Sequence, residues 1–381
     1  MLNTILTDPS VKRSFKKALS KDAQDKYNSG ELGEYDDRTL IYDVFLQQDN
    51  QTVVVITPPP VNLSSKLWPM FLVVDGERKA FSLALKDRKF NVYKLKLDAM
   101  ISSNVVCELS VPQGDYKIEL EFRDNKAEGL ALVTLQKNNS IRWIEDWIDF
   151  YRREYNVDHV FIYDNNSDNY AELSEALRGK ATLIPWGFPY GPYYQHDNSF
   201  CQIGALNHFK YKYGDHCTIL NFDIDELLFC RDQDVKKEVL SRYYTRINSY
   251  QGSSLLASTP SDYSFKHFIY REKKSRNCAY KYIVKGDAAY LRVHAVKFFQ
   301  NKYFYLHKVE SWLRSIGNLM SKKKSKHVKS DVFPIEKAYF VHYTPITTSW
   351  KENDREKVGS LDLDKYQLDT LAVKVFGDEY I

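Results

Sequence analysis

The stretch Thr218–Phe229, Thr-Ile-Leu-Asn-Phe-Asp-Ile-Asp-Glu-Leu-Leu-Phe, most constrains what this chain can fold into. Ile219, Leu220 and Phe222 suit a buried strand, which stops at Asp223, Asp225 and Glu226 before an apolar run resumes. A strand can bury its apolar residues and still end in charge only if that end reaches an edge of the sheet. In open α/β sheets, ligands bind at the carboxyl edge of the strands. Aspartates one residue apart offer hard oxygen ligands for Mn2+ or Mg2+. Asp-x-Asp recurs at Asp232–Asp234 and Asp362–Asp364, so position rather than the tripeptide must identify a site.

The residues before this stretch supply that position. Leu130–Leu135, His159–Tyr163 and Ala181–Trp186 read as strands, separated by the helical patterns of Ile141–Tyr155 and Ala171–Leu177. Ile144, Trp147, Ile148 and Tyr151 fall on one helix face, and Ser140 stands at the N-cap position. Asp197–Tyr211 predicts a third helix, with Phe200, Ile203 and Leu206 inward. Alternating strands and helices imply a parallel sheet with right-handed crossovers. Two polar clusters, Asp164–Asp168 and Asp223–Glu226, then emerge at the same sheet edge. Asp164, Asn165, Asn166 and Ser167 can hydrogen-bond a base or ribose. A cation on Asp223 and Asp225 would neutralise a diphosphate.

The N-terminal third reads differently. Leu40–Leu46, Gln51–Thr57, Met70–Val74, Ala80–Leu85 and Tyr116–Phe122 are short β-type runs parted by turn signals such as Pro58–Pro60 and Asp75–Gly76. They predict an antiparallel, sandwich-like accessory domain. The expected division is a polar segment over 1–36, with a possible short helix at Val11–Leu19, the β-rich domain over 37–126, an α/β domain over 127–350 and a helical extension over 351–381. A net charge of +4 argues against a nucleic-acid partner. Lys322–Lys329 forms a basic run that reads first as a solvated loop, with anionic lipid headgroups or an acidic polymer as the alternative contacts. Five scattered cysteines without a C-x-x-C pair fit a reducing compartment, and no run has the ~18–20 apolar residues of a membrane span. The expectation is a cytoplasmic protein, with peripheral association at the inner membrane face.

Three segments carry a family resemblance: Asn138–Tyr151, Val157–Ser167 with its Val-Asp-His-Val-Phe-Ile-Tyr-Asp-Asn-Asn-Ser, and Phe222–Leu227. In order and spacing they resemble glycosyltransferase family 92 and its bacterial relatives in the family 2 group. Lys281–Lys285, Val293–His294 and Val341–Tyr343 are similar to its later motifs. The resemblance implies a GT-A fold, a nucleotide-diphosphate sugar donor such as a UDP-hexose, and Mn2+ or Mg2+. It further implies inverting transfer of a hexose such as galactose to a glycan or lipid-linked glycan acceptor, in bacterial surface polysaccharide synthesis. The competing expectation is a non-catalytic carbohydrate-binding or scaffold protein with a GT-A-like domain.

Within the transferase reading, Asp225 contacts the metal and Asp223 the metal or the ribose, with Glu226 behind them. His342 and His294 are the candidate histidine ligands, because GT-A enzymes often take one from the C-terminal part. Asp262 is the candidate general base for the acceptor hydroxyl. Lys281 is placed on phosphate oxygens or the acceptor and Lys137 near the donor, with Gln195 and Trp186 lining the cleft.

Overall fold

The computed structural model describes residues 2–31, 33–124, 126–192, 196–253, 265, 269–288, 290–298, 332–343 and 362–376. It is a mixed α/β protein with several sheets. The chain forms two compact units, Met1–Ala127 with Trp186–Asp215, and Glu128–Pro185 with His216–Ile381. The segment 186–215, read from sequence as part of the α/β domain, therefore belongs to the first unit. Elements are numbered along the chain.

In the first unit, β1 (Ile5–Leu6) pairs with β2 (Thr39–Ile41). One four-stranded antiparallel sheet contains β3 (Asp43–Leu46), β4 (Thr52–Thr57), β8 (Asn91–Lys96) and β7 (Ser82–Lys86), in that order. A second runs β10 (Gly114–Leu120), β9 (Val105–Val111), β5 (Phe71–Val74), β6 (Glu77–Ala80). Val44, Val53 and Val55 of one sheet share a single apolar cluster with Leu72, Leu109 and Ile118 of the other. That is the layering expected of a sandwich-like module. The strands β8 and β9 escape the sequence reading because Lys94, Lys96 and Glu108 interrupt their apolar patterns.

β4 is buried on both faces, since Val54 and Ile56 are as inaccessible as Val53 and Val55. Helix α5 (Cys201–Lys212) packs on β3 and β4, which accounts for the second covered face. Each such Val or Ile contributes about 2 kcal/mol of burial. Helix α1 spans Lys21–Asn28, capped by the Ser20 hydroxyl, whereas Val11–Leu19 is irregular. Arg13 explains why: its guanidinium is spent on the carbonyls of Asp36 and Thr39, which fixes the segment in an extended path.

The second unit is built on a ten-stranded mixed sheet. β11 (Gly129–Gln136), β12 (His159–Asp164), β13 (Thr182–Pro185) and β14 (Cys217–Asn221) are parallel, in the order β13-β12-β11-β14. Successive strands step outward from β11 to β13, and β14 then returns to the other side of β11. Strand order thus reverses between β11 and β14, the kind of switch point where α/β sheets open a crevice at their carboxyl edge. Beyond β14 the sheet turns antiparallel through β18 (Arg276–Lys285) and β16 (Tyr244–Ser253), then β17 (Tyr270–Glu272) and β22 (Tyr366–Leu368). β15 (Glu226–Cys230) pairs with β21 (Ala338–His342), which lies parallel to β16. The C-terminal helix Thr370–Phe376 packs against β15.

Helix α3 (Ile141–Tyr155) buries Trp143, Ile144, Trp147, Ile148, Tyr151 and Tyr155, the face expected from its spacing. Ser140 caps it through its backbone carbonyl, to Trp143 and Ile144, and not through the hydroxyl. The helix also completes β15, which among the described residues has a strand partner on one side only. Tyr151 Oη donates to the Glu226 carbonyl at 3.0 Å and accepts from the Leu228 amide at 3.2 Å. Tyr155 Oη donates to the Leu228 carbonyl at 2.6 Å. Two phenols thereby satisfy backbone groups that a buried edge would otherwise leave unpaired.

Candidate functional site

The acidic stretch folds as a tight turn between β14 and β15. The Glu226 amide donates to the Asp223 carbonyl at 3.0 Å, and the Asp223 amide donates to Glu226 Oε2 at 2.8 Å. Ile224 is buried in the core beneath the turn, which fixes the carboxylates on either side of it. β15 and β21 pair with Glu226 opposite His342, and the Tyr343 amide donates to the Asp225 carbonyl at 2.7 Å. This register brings His342 Nε2 to 3.1 Å from Asp225 Oδ2.

Antiparallel pairing of β14 with β18 sets Asn221 opposite Tyr282, which carries Lys281 to the acidic turn. Its ammonium lies 2.7 Å from Asp223 Oδ2 and 3.1 Å from Glu226 Oε2, with the side chain 1% exposed. Burial alone would raise the Asp223 pKa, but Lys281 outweighs it and holds the carboxyl below its ordinary value. Burial wins at Glu226, pushing it up to about 7. Burial opposes charge on Lys281 and on His342 as well. Asp223 and Glu226 nevertheless raise the lysine, and Asp225 raises the histidine.

One oxygen each from Asp225 and Glu226 and one His342 nitrogen lie within 4.8 Å of one another. Two buried carboxylates and a partly exposed imidazole are a donor set that could hold a small divalent cation. Glu226, expected to stand behind the ligands, is thus inside the cluster. Asp223 is engaged by Lys281 instead, and His294 falls outside the cluster. Lys281 meets carboxylates rather than open space for a phosphate or acceptor.

The second polar cluster lies at the same edge, about 10 Å from the end of β14 by two strand spacings across β11. It is a closed knot. Asp164 accepts from the Gln136 side-chain amide, from Ser167 Oγ at 2.6 Å and from the Ser167 amide at 3.0 Å. Ser167 Oγ in turn accepts from the Asn138 amide at 2.8 Å, and Asn138 and Asp168 exchange a reciprocal pair. Asp164 and Ser167 therefore shape the loop first, whereas Asn166 is exposed in a left-handed conformation at its tip. Asn165 is buried, its amide donating to the Gln136 carbonyl. Lys137 is half-buried directly after β11.

Sequence reasoning placed Asn138 at the head of a resemblance segment and Gln136 in a loop but gave neither a site role, although both hold this knot. Their place at the end of a parallel strand was the available signal. Trp186 does not line a cleft: it is buried in the first unit against Tyr42 and Phe188, its indole N–H donating to the Cys201 carbonyl. Gln195, Asp262 and the basic run Lys322–Lys329 lie outside the described residues. No described helix is long and apolar enough to cross a membrane. Comparison of the chain with models of known protein families and with curated proteins finds no match to either.

Proposed function

We propose that the second unit is a GT-A-type domain of a metal-dependent glycosyltransferase. It would move a hexose such as galactose from a nucleotide-diphosphate donor to a glycan acceptor. The observation that carries this reading is the Asp225–Glu226–His342 cluster, placed at the carboxyl edge beside the strand-order reversal. The sequence resemblance to glycosyltransferase family 92, carried in part by these same residues, agrees with it.

In this reading Asp225, Glu226 and His342 hold a divalent ion, which when bound supplies Lewis-acid stabilisation to the departing diphosphate. Lys281 balances Asp223 and Glu226 and fixes their orientation. Tyr151 and Tyr155 hold the backbone of β15, so that the Glu226 carboxylate keeps its place without rearrangement. Asn165, Asn166 and Lys137 stand at the same edge for the nucleoside. The surface-polysaccharide pathway and the inner membrane face are the setting we propose for this chemistry.

The test is a thermal-shift and hydrolysis screen of UDP-, GDP- and dTDP-linked hexoses, with and without Mn2+. A donor at a hundred times its Kd stabilises the native state by about 2.7 kcal/mol. Asp225→Asn, nearly isosteric, should abolish the Mn2+-dependent part of both signals. No shift and no hydrolysis with any donor at millimolar concentration would overturn the assignment. A second reading is favoured by Trp68 in the first unit, 44% exposed and stacked on Tyr93 at 5.6 Å, an arrangement that suits a sugar face. A non-catalytic carbohydrate-binding protein would be stabilised by added oligosaccharides, and by none of the nucleotide sugars, without turnover.

A further inference from the structure

A chain that transfers a sugar must also remove a proton from its acceptor, and the acidic groups described at this edge are engaged, Asp262 lying outside the described residues. Asp225 is bonded to His342, and Asp223 and Glu226 are paired with Lys281. Asp164 is closed in by Gln136 and Ser167, and Asp168 by Asn138. His294 stands apart from all of these pairings.

His294 lies in the turn joining two short antiparallel strands, β19 (Tyr290–Leu291) and β20 (Val296–Lys297). The turn is fastened to both strands that build the site. Asn221, the last residue of β14, donates from its side-chain amide to the Val293 carbonyl at 2.9 Å. His294 Nδ1 lies 2.9 Å from the carbonyl of Tyr280, the neighbour of Lys281 on β18. A carbonyl only accepts, so Nδ1 carries the hydrogen. In the neutral ring Nε2 is then a bare lone pair. Among the described residues it has no hydrogen-bond partner, and the ring reaches solvent.

We propose that His294 is the general base of the transfer, its Nε2 taking the proton of the acceptor hydroxyl. This assignment rests on the glycosyltransferase reading. The acceptor oxygen bonds to the anomeric carbon as the bond from that carbon to the diphosphate oxygen breaks. The nucleoside diphosphate leaves with the electron pair, and the imidazolium later releases its proton to water. Burial first and the Lys281 ammonium second hold the imidazole below its ordinary pKa, opposed by Asp223 and the Tyr280 carbonyl, with His342 reinforcing the lowering. The neutral base is therefore the resting form near pH 7. The same geometry gives His294 a role other than the metal contact expected from sequence.

The experiment uses full-length protein, Mn2+ and whichever nucleotide sugar the wild type hydrolyses fastest, with water as acceptor. His294→Gln keeps an amide donor for the Tyr280 carbonyl but removes the base, and His294→Ala opens space for added imidazole. Both should lower kcat by about 10²–10⁴-fold while donor KM and the Mn2+ activation constant stay put. Imidazole should restore part of the His294→Ala rate, and both variants should lose the acidic limb of the pH profile. Unchanged kcat, an altered Mn2+ constant, or a loss that keeps the acidic limb and resists imidazole would overturn the proposal. If wild type neither binds nor hydrolyses any donor, the transferase reading itself fails; if wild type and His294→Ala turn over equally, only the base assignment fails.

Discussion

In the first unit, Asp43 and His208 should produce an acid sensitivity that a single substitution removes. One Asp43 oxygen takes His208 Nε2 at 2.8 Å and Lys212 Nζ at 2.7 Å, and the other takes the Asn3 amide at 2.7 Å. Residues 208 and 212, one turn apart on α5, share the face that meets β3. Burial, reinforced by the Lys212 and Arg123 charges, holds His208 down to about 4 from 6.5, against the pull of Asp43. Burial would raise Asp43, yet Lys212 and His208 hold it at about 2 against 3.8.

Between pH 6.5 and about 4 the unfolded chain protonates His208 and the native protein does not, so stability falls as pH drops through that window. The separation amounts to about 3 kcal/mol. Asp43 adds a second loss, about 2 kcal/mol, between pH 3.8 and about 2, since its stabilisation is complete only above the unfolded value. His208→Gln retains an amide donor for Asp43 and cannot titrate. Urea unfolding at pH 7, 5.5 and 4.5, with amide exchange of α5 as the local readout, should show the variant losing much less stability than wild type over that range. If both fall in parallel from pH 6.5 to 4.5, the neutral-histidine argument is wrong.

Three other substitutions test the frame around the candidate site. Tyr151→Phe strips the Glu226 carbonyl and the Leu228 amide of a partner and should cost about 1–3 kcal/mol in urea titration, with faster exchange confined to β15. At Gly252 an added Cβ would stand 2.3 Å from Tyr343 Cδ1 and 2.7 Å from Val341 Cγ1, in the strand that carries His342. Gly252→Ala should therefore lower Tm, at a cost of about 1–3 kcal/mol, and weaken Mn2+ binding measured by calorimetry. Lys281→Met leaves the buried Glu226 and the partly exposed Asp223 without their cation and should destabilise by about 2–3 kcal/mol in the same titration.

The parallel half of the second unit was legible because its signals are local. Trp147, Ile148 and Tyr151 declare their helix by spacing, and the polar residues after β12 and β14 declare the edge by following strands. The sandwich was legible only in part. Ten-residue spacing revealed β4 and β5, whereas Lys94 and Lys96 in β8 and Glu108 in β9 blurred the period of two, Lys94 lying on the face that α5 covers. The crossover helix was found, but not its home. α5 reads as an ordinary link between β13 and β14, and only its polar residues hinted otherwise. Asn207, His208, Lys210 and Lys212 are all buried on it, which is costly unless a partner such as Asp43 awaits them.

The site itself divides along the same line. Asp223, Asp225 and Glu226 sit in one turn, so their proximity was a local inference. Their division of labour was not, because it depends on which distant strands arrive beside them. Lys281 comes on β18 and pairs with Asp223 and Glu226, and the group gathered around His342 is Asp225 and Glu226 rather than the two aspartates of the Asp-x-Asp pattern. His342 comes on β21, and a register one residue different would turn its ring to the opposite face, away from Asp225. No pattern within the acidic stretch can encode that register. It is specified by the alternation of buried groups along Ala338–His342 against β15, with Tyr151 and Tyr155 closing the free side. The pairing of β15 with β21 gives His342 to Asp225, whereas His294 is held separately, by its Nδ1 against the Tyr280 carbonyl of β18.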